Sequence, residues 1–316
     1  MPRAQKFVGR QEIAGVLLLR GALALLALYA ADAAATVQVV TTTTDLQSLT
    51  QAVGGAAVEV TSLTSAGQDG EAYQPRPGDL LRIKQAQLVV RVGLDYDLWL
   101  DPLLGQAGRA ELRRGGAAYV DASTSIPLLE IQGSSVVPGG HAHGLGNPHY
   151  WLDPLNAEGI TANILLGLAR VDPGRTQTYE RNRQRFLQTL AQRVRDWSER
   201  LRPLQGVALI AHHNSWPYLA RRFRLRLVET IEPKPGVPPS PAHLAKLAAL
   251  MRSQNVRGIL KAPTEAEAMP RMLAARGSAN VVTLAPSVGA VPTAKDYLAL
   301  FDYNVAALER IAAPVP

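Results

Sequence analysis

Cysteine is absent from all 316 residues. That excludes disulfide cross-links, thiolate metal ligands and a lipid-bearing cysteine at an export cleavage site. Stability has to come from burial, which a chain of this length can supply. Long apolar runs are missing as well. Beyond the N-terminal segment, no stretch reaches the roughly 18 uninterrupted apolar residues of a membrane helix. Nor is there a nucleophile elbow, a phosphate-cradling glycine loop or an H-E-x-x-H helix. Lys and Arg outnumber Asp and Glu by 33 to 26, and the pI is near 9.8. The basic residues are scattered, with no tract interleaved with aromatics, so no nucleic-acid partner is expected.

The N-terminus reads as a targeting segment. Arg3, Lys6, Arg10 and Arg20 precede a short apolar run, Gly21 to Ala31, that ends in Ala31-Asp32-Ala33-Ala34-Ala35. A positive stretch, a short apolar stretch and a small-x-small site make a secretory signal peptide over residues 1–35, cleaved after Ala33 or Ala35. The alternative is an uncleaved anchor. Cleavage removes four of the 33 basic residues and two of the 26 acidic ones (Glu12, Asp32), lowering the net charge from +7 to +5. A soluble, monomeric protein of the periplasm is expected.

From Thr36 onward, β-branched runs alternate with helical patterns, which argues for parallel βα units. Strands are predicted at 36–42, 57–63, 87–92 and 118–120, with helices near 46–53 and 77–86. A helix follows over 156–170, capped by Asp153 or Asn156. Residues 175–202 contain no Gly or Pro and place Tyr179, Phe186, Leu187, Leu190, Val194, Trp197 and Leu201 at helical spacing. Such a helix runs about 40 Å, enough either to join two lobes or to cover one. The alternation then restarts, with strands at 207–211, 225–231, 256–260 and 281–284. Helices are predicted near 216–223, 242–252, 265–276 and 297–311. The chain thus divides into an N-terminal α/β lobe (36–172), a linking helix (173–203) and a C-terminal α/β lobe (204–316).

Five of the six histidines fall in two segments about sixty residues apart: Gly140 to Trp151, holding His141, His143 and His149, and Ala211 to Trp216, holding His212 and His213. Imidazole is the commonest neutral ligand for zinc and its neighbours. Concentrating it in one loop of each half is what a metal site shared between two lobes requires. His212 and His213 follow a predicted strand, where open α/β sheets bind ligands. His243 opens a helix and reads as structural or exposed. Asp69 and Glu71, in the loop after the second strand, form either a solvated acidic turn or a source of carboxylate ligand.

Several segments resemble the metal-binding, extracytoplasmic solute-binding components of ABC importers for zinc and manganese. They are Gly67–Asp79, Ala86–Leu100, Gly146–Pro154, His213–Phe223, Glu232–Ser240 and Lys295–Asn304, which together span the chain beyond residue 35. The resemblance implies an α/β fold of two Rossmann-like lobes with parallel sheets, joined by a single long α-helix, with a metal cleft between the lobes. It also implies an ABC permease and its ATPase as partners, and Zn²⁺, or Mn²⁺, as the transported ligand. Family ligands carry over at His149, from Asn-Pro-His-Tyr-Trp, and at His213, from His-x-Ser-Trp. Two positions depart from the pattern. Glu71 stands where a histidine is usual, and the loop Leu284–Gly289 lacks the acid that relatives supply there. The ligand set is read as Glu71, His143, His149 and His213, with Glu232 or water as alternatives to His143. Three imidazoles and a carboxylate suit Zn²⁺ in a closed tetrahedral site.

The leading reading is a periplasmic receptor that hands zinc to a permease. A zinc hydrolase with Glu71 as general base is a second reading, and a metal-free adhesin or small-ligand receptor on the same fold a third.

Overall fold

A computed structural model describes residues 35–130, 146–234 and 236–312. The predicted signal peptide (1–35, all but its last residue) and His141 and His143 lie outside the described residues.

Two four-stranded sheets form, both wholly parallel. The first contains β1 (Val37–Thr41), β2 (Val58–Ser62), β3 (Leu88–Arg91) and β4 (Tyr119–Asp121) in the order β2-β1-β3-β4. The second contains β5 (Ala208–Ala211), β6 (Arg226–Thr230), β7 (Gly258–Lys261) and β8 (Asn280–Thr283) in the order β6-β5-β7-β8. The two lobes therefore repeat one topology, and in each the chain reverses its direction of travel across the sheet beside the first strand. A cleft opens beyond the carboxyl ends of the strands at such a switch point. Central strands β3, β5 and β7 are buried at every position. That follows from helices covering both faces of a parallel sheet, and it explains runs such as Leu-Val-Val-Arg and Ala-Leu-Ile-Ala without polar alternation.

Like Lys261 at the end of β7, Arg91 departs from this chemistry, a fully buried cation in the centre of the first sheet. Its Nε donates to Asp97 Oδ1 at 2.8 Å and one terminal nitrogen donates to Asp101 Oδ1 at 2.6 Å. Asp97 also accepts from the backbone N–H groups of Val92 and Gly93, at 2.7 and 3.2 Å. The pair thereby fixes the tight loop after β3, where Leu94 and Asp95 adopt left-handed φ of 52° and 63°.

The helices are α1 (Thr44–Gly54), α2 (Pro77–Gln85), α3 (Leu100–Ala107), α4 (Ala157–Val171), α5 (Thr176–Leu201), α6 (Pro217–Arg222), α7 (Pro241–Ser253), α8 (Ala268–Gly277) and α9 (Tyr297–Glu309). The sequence reading omitted α3, whose body carries Pro102 and Gly105. Leu100, Leu103 and Leu104 bury its inner face, and that packing outweighs the poor propensity. Before α4, the Asp153 side chain accepts from Leu155 N and caps the short 3₁₀ turn Pro154–Asn156. Asn156 makes no cap and instead donates to Tyr150 O.

The long helix α5 has 26 residues, about 39 Å at 1.5 Å per residue. Tyr179, Leu190, Trp197 and Leu201 are its buried positions. It packs on α1 and α4 of the first lobe and on α9 of the second. One apolar cluster runs from Val39 and Leu49 through Tyr179, Leu190 and Trp197 to Phe301 and Ile311, so the helix carries the core from lobe to lobe. Among the described residues no helix is long and apolar enough to cross a membrane.

Candidate metal centre

Glu71 lies in the loop between β2 and α2, and that loop is pinned on both sides. Asp69 Oδ1 accepts from Glu71 N at 2.9 Å, so Asp69 shapes the turn. Trp99 Nε1 donates to Gly70 O at 2.8 Å, and Tyr73 donates its hydroxyl proton to Asp79 Oδ2 at 2.6 Å. Gly70 is required for close approach, because a Cβ there would sit 2.6 Å from the Tyr96 ring. The Glu71 side chain ends up 5% exposed.

His149 precedes the short 3₁₀ turn Tyr150–Leu152 and is 7% exposed. Its ring is walled by Tyr96 and Trp151, at centroid distances of 5.8 and 5.3 Å. Nδ1 lies 3.2 Å from Asn147 Oδ1, and Nε2 lies 3.4 Å from Glu71 Oε1.

His213 comes from the other lobe, just past the carboxyl end of β5. Its ring centroid is 5.7 Å from that of His149. Nδ1 bonds Glu232 Oε2 at 2.9 Å, so Nε2 is the ring nitrogen not engaged by Glu232. Glu232 follows β6, so the pair joins the ends of neighbouring strands. Burial disfavours the charged form of His213, but the Glu232 hydrogen bond and the carboxylates of Glu71, Glu232 and Glu265 outweigh it. The imidazole is held above its ordinary 6.5. Burial also works against the charge of Glu232, yet its bond to His213 wins and lowers its pKa.

One ligand atom from each of Glu71, His149 and His213 lies within 4.8 Å of the other two. A tetrahedral zinc with bonds of about 2.1 Å separates its ligand atoms by about 3.4 Å. The His149–Glu71 separation has that value, and the His213 ligand atom lies within 4.8 Å of both.

The remaining candidates fall elsewhere. His212 is adjacent in sequence but its ring lies between two carboxylates, 3.9 Å from Glu232 and 3.9 Å from Glu265, and burial lowers its pKa. His243 turns Nε2 to the carbonyl of Thr230 at 2.9 Å, a structural role. Ala285, in the loop Leu284–Gly289 where relatives are read to supply an acid, is bound at both backbone groups by the buried Asn304 amide. Glu265, in the loop after β7, was missed by sequence reasoning. Burial pushes its carboxyl up to about 7. Only the strand order, which sets the β7 loop beside the β5 loop, brings it near the histidines.

Glu71, His149 and His213 converge from opposite sides of a two-lobe α/β fold with matching parallel sheets. Fold and site together define a two-lobe α/β protein with a candidate metal site between its lobes. A family model described as zinc-uptake complex component A, periplasmic (ZnuA), matches residues 39–311, and the chain belongs to that family. The iron-binding protein YfeA of Yersinia pestis is 28% identical over 200 residues, 62% of this chain and 60% of that protein. The high-affinity zinc uptake system protein ZnuA of Bacillus subtilis is 25% identical over 206 residues, 64% of this chain and 63% of that protein. The chain thus matches less than two thirds of the length of these relatives. A crystal structure of ZnuA superposes with a TM-score of 0.75 at 22% identity, covering 88% of this chain and all of that one, which supports the fold.

Proposed function

We propose that this protein is a periplasmic receptor that captures a divalent transition metal, zinc foremost, and delivers it to an ABC permease driven by its ATPase. The observation that carries this reading is the convergence of Glu71 and His149 from one lobe with His213 from the other. Two imidazoles and a carboxylate favour zinc; an oxygen-rich completion of the site favours manganese. The fourth position falls to His143 or to water. Glu232 is the weaker candidate, because its carboxylate is engaged with His213 Nδ1. The lobes extend over 36–172 and 204–316, with 173–203 as the linking helix. Similarity to relatives named for zinc and iron supports the transport role. The protein acts as a monomer, exported by the segment 1–35.

No observation favours the hydrolase, since Glu71 sits at ligand distance from His149, where a general base would need a water between. Release follows from separating the two ligand sets, since each lobe alone retains an incomplete site. Equilibrium dialysis against ⁶⁵Zn tests the assignment. His149→Ala and His213→Ala each lose at least tenfold in affinity, whereas near-unchanged binding in both refutes it.

A further inference from the structure

A neutral imidazole offers a metal one nitrogen, and which one depends on where its proton sits. At this site the proton positions follow from the neighbours. Asn147 Nδ2 is 3.0 Å from Glu130 Oε2 and 3.0 Å from Asn214 O, two groups that only accept. The amide therefore turns its oxygen to His149, where Oδ1 accepts from the backbone N at 3.0 Å and lies 3.2 Å from Nδ1. An amide oxygen has no proton to give, so His149 Nδ1 carries one, and Nε2, 3.4 Å from Glu71 Oε1, is the nitrogen turned toward the ion position. His213 arrives at the same state by another route. Its Nδ1 faces Glu232 Oε2 at 2.9 Å, and that oxygen also accepts from Gly236 N.

Asn147 is held at every polar atom. Its N donates to Leu129 O at 2.9 Å, and its O accepts from the Tyr218 hydroxyl at 2.9 Å. The same side chain that orients His149 thus reaches across the cleft to the peptide oxygen next to His213.

We propose that Asn147 and Glu232 are paired positioning residues that fix both imidazoles as Nδ1–H tautomers and aim Nε2 of each at the ion. The inference rests on the metal-binding reading above and adds how the site is prepared before the ion arrives. The two acceptors differ in charge. Asn147 supplies orientation and a link between lobes, whereas Glu232 also makes His213 Nε2 a stronger donor.

The tautomers are read directly from long-range ¹H–¹⁵N correlation spectra of metal-free, histidine-labelled protein at pH 8, with His149→Ala and His213→Ala for assignment. Both residues show the Nδ1–H pattern. An Nε2–H pattern at either residue overturns the proposal, and this measurement needs no positioning variant to fold. Competition of zinc against a chromogenic chelator then gives the effect of each residue. Asn147→Ala and Glu232→Ala each lose about 10–100-fold in affinity. Glu232→Gln, which keeps an oxygen acceptor without the charge, retains more affinity than Glu232→Ala. Wild-type affinity in Asn147→Ala and Glu232→Ala, with loss in His149→Ala and His213→Ala, removes the positioning role and leaves the metal site standing. A wild-type protein that takes up no zinc, manganese or iron removes the receptor reading itself.

Discussion

Glycine 70 shows how a single missing methyl serves the metal centre. Its neighbour Glu71 reaches His149 because the loop backbone runs directly against the Tyr96 ring, and Tyr96 in turn walls the His149 imidazole. Its backbone oxygen is held by Trp99. Gly70→Ala would force the ring or the loop to move, at a cost of about 1–3 kcal/mol from overpacking. Zinc affinity falls while the protein still folds, as chelator competition and a thermal melt measured together will show; unchanged affinity would mean that the loop yields without displacing Glu71. Glu71 itself was legible in the sequence as a carboxylate in a ligand position. Glu265 was not, because the histidines it approaches follow a different strand, and Asn147, only two residues from His149, has its amide orientation set by Glu130 and Asn214, which are distant along the chain. Glu232 was read as a possible ligand, and its bond to His213 Nδ1 recasts it as a partner of one.

Among the elements, α5 does the most structural work. Its buried residues follow helical periodicity, so its existence could be read from spacing alone. Its task could not, because a surface helix of one domain shows the same stripe. Trp197 is fully buried, stacks on Phe301 at 5.3 Å and donates from Nε1 to Asp302 at 2.9 Å. Trp197→Ala removes that anchor between α5 and the second lobe and costs about 3–5 kcal/mol. Urea unfolding should show the midpoint falling in proportion, and a loss under 1 kcal/mol would mean the helix is held mainly elsewhere. Helix α3 makes the converse point. Pro102 and Gly105 hide it from propensity, and only the packing of three leucines reveals it.

For the molecule as a whole, the lobes are joined by hydrogen bonds as well as by α5. Trp151 Nε1 donates to Pro286 O and the Tyr297 hydroxyl donates to Trp151 O, at 3.0 and 2.6 Å. Arg222 grips the buried Asp153 through two nitrogens, at 2.6 and 2.9 Å. Asp45, at the start of α1, accepts from Val288 N at 2.9 Å, yet its second oxygen has no partner. Burial pushes its carboxyl from 3.8 up to about 7. Between about pH 4 and pH 7 the folded chain therefore holds a proton that the unfolded chain has released. Stability from this group falls as pH rises through that window, by on the order of 4 kcal/mol in full. Asp45→Asn should flatten the fall and leave the variant more stable than wild type at pH 8. Denaturant midpoints at pH 5 and pH 8 measure it, and an unchanged slope would show that another group governs the dependence.

The sequence by itself determined the α/β class, the two halves and the long helix, through β-branched runs and helical spacing, while the family resemblance singled out Glu71, His149 and His213 as candidate ligands. The tertiary structure decided which nitrogen of each histidine is left for an ion, which carboxylates surround it, and that Asp69 shapes a turn. Those outcomes depend on the parallel strand order and on the approach of the lobes, which place side chains tens of residues apart within hydrogen-bonding distance. No spacing along the chain encodes that approach.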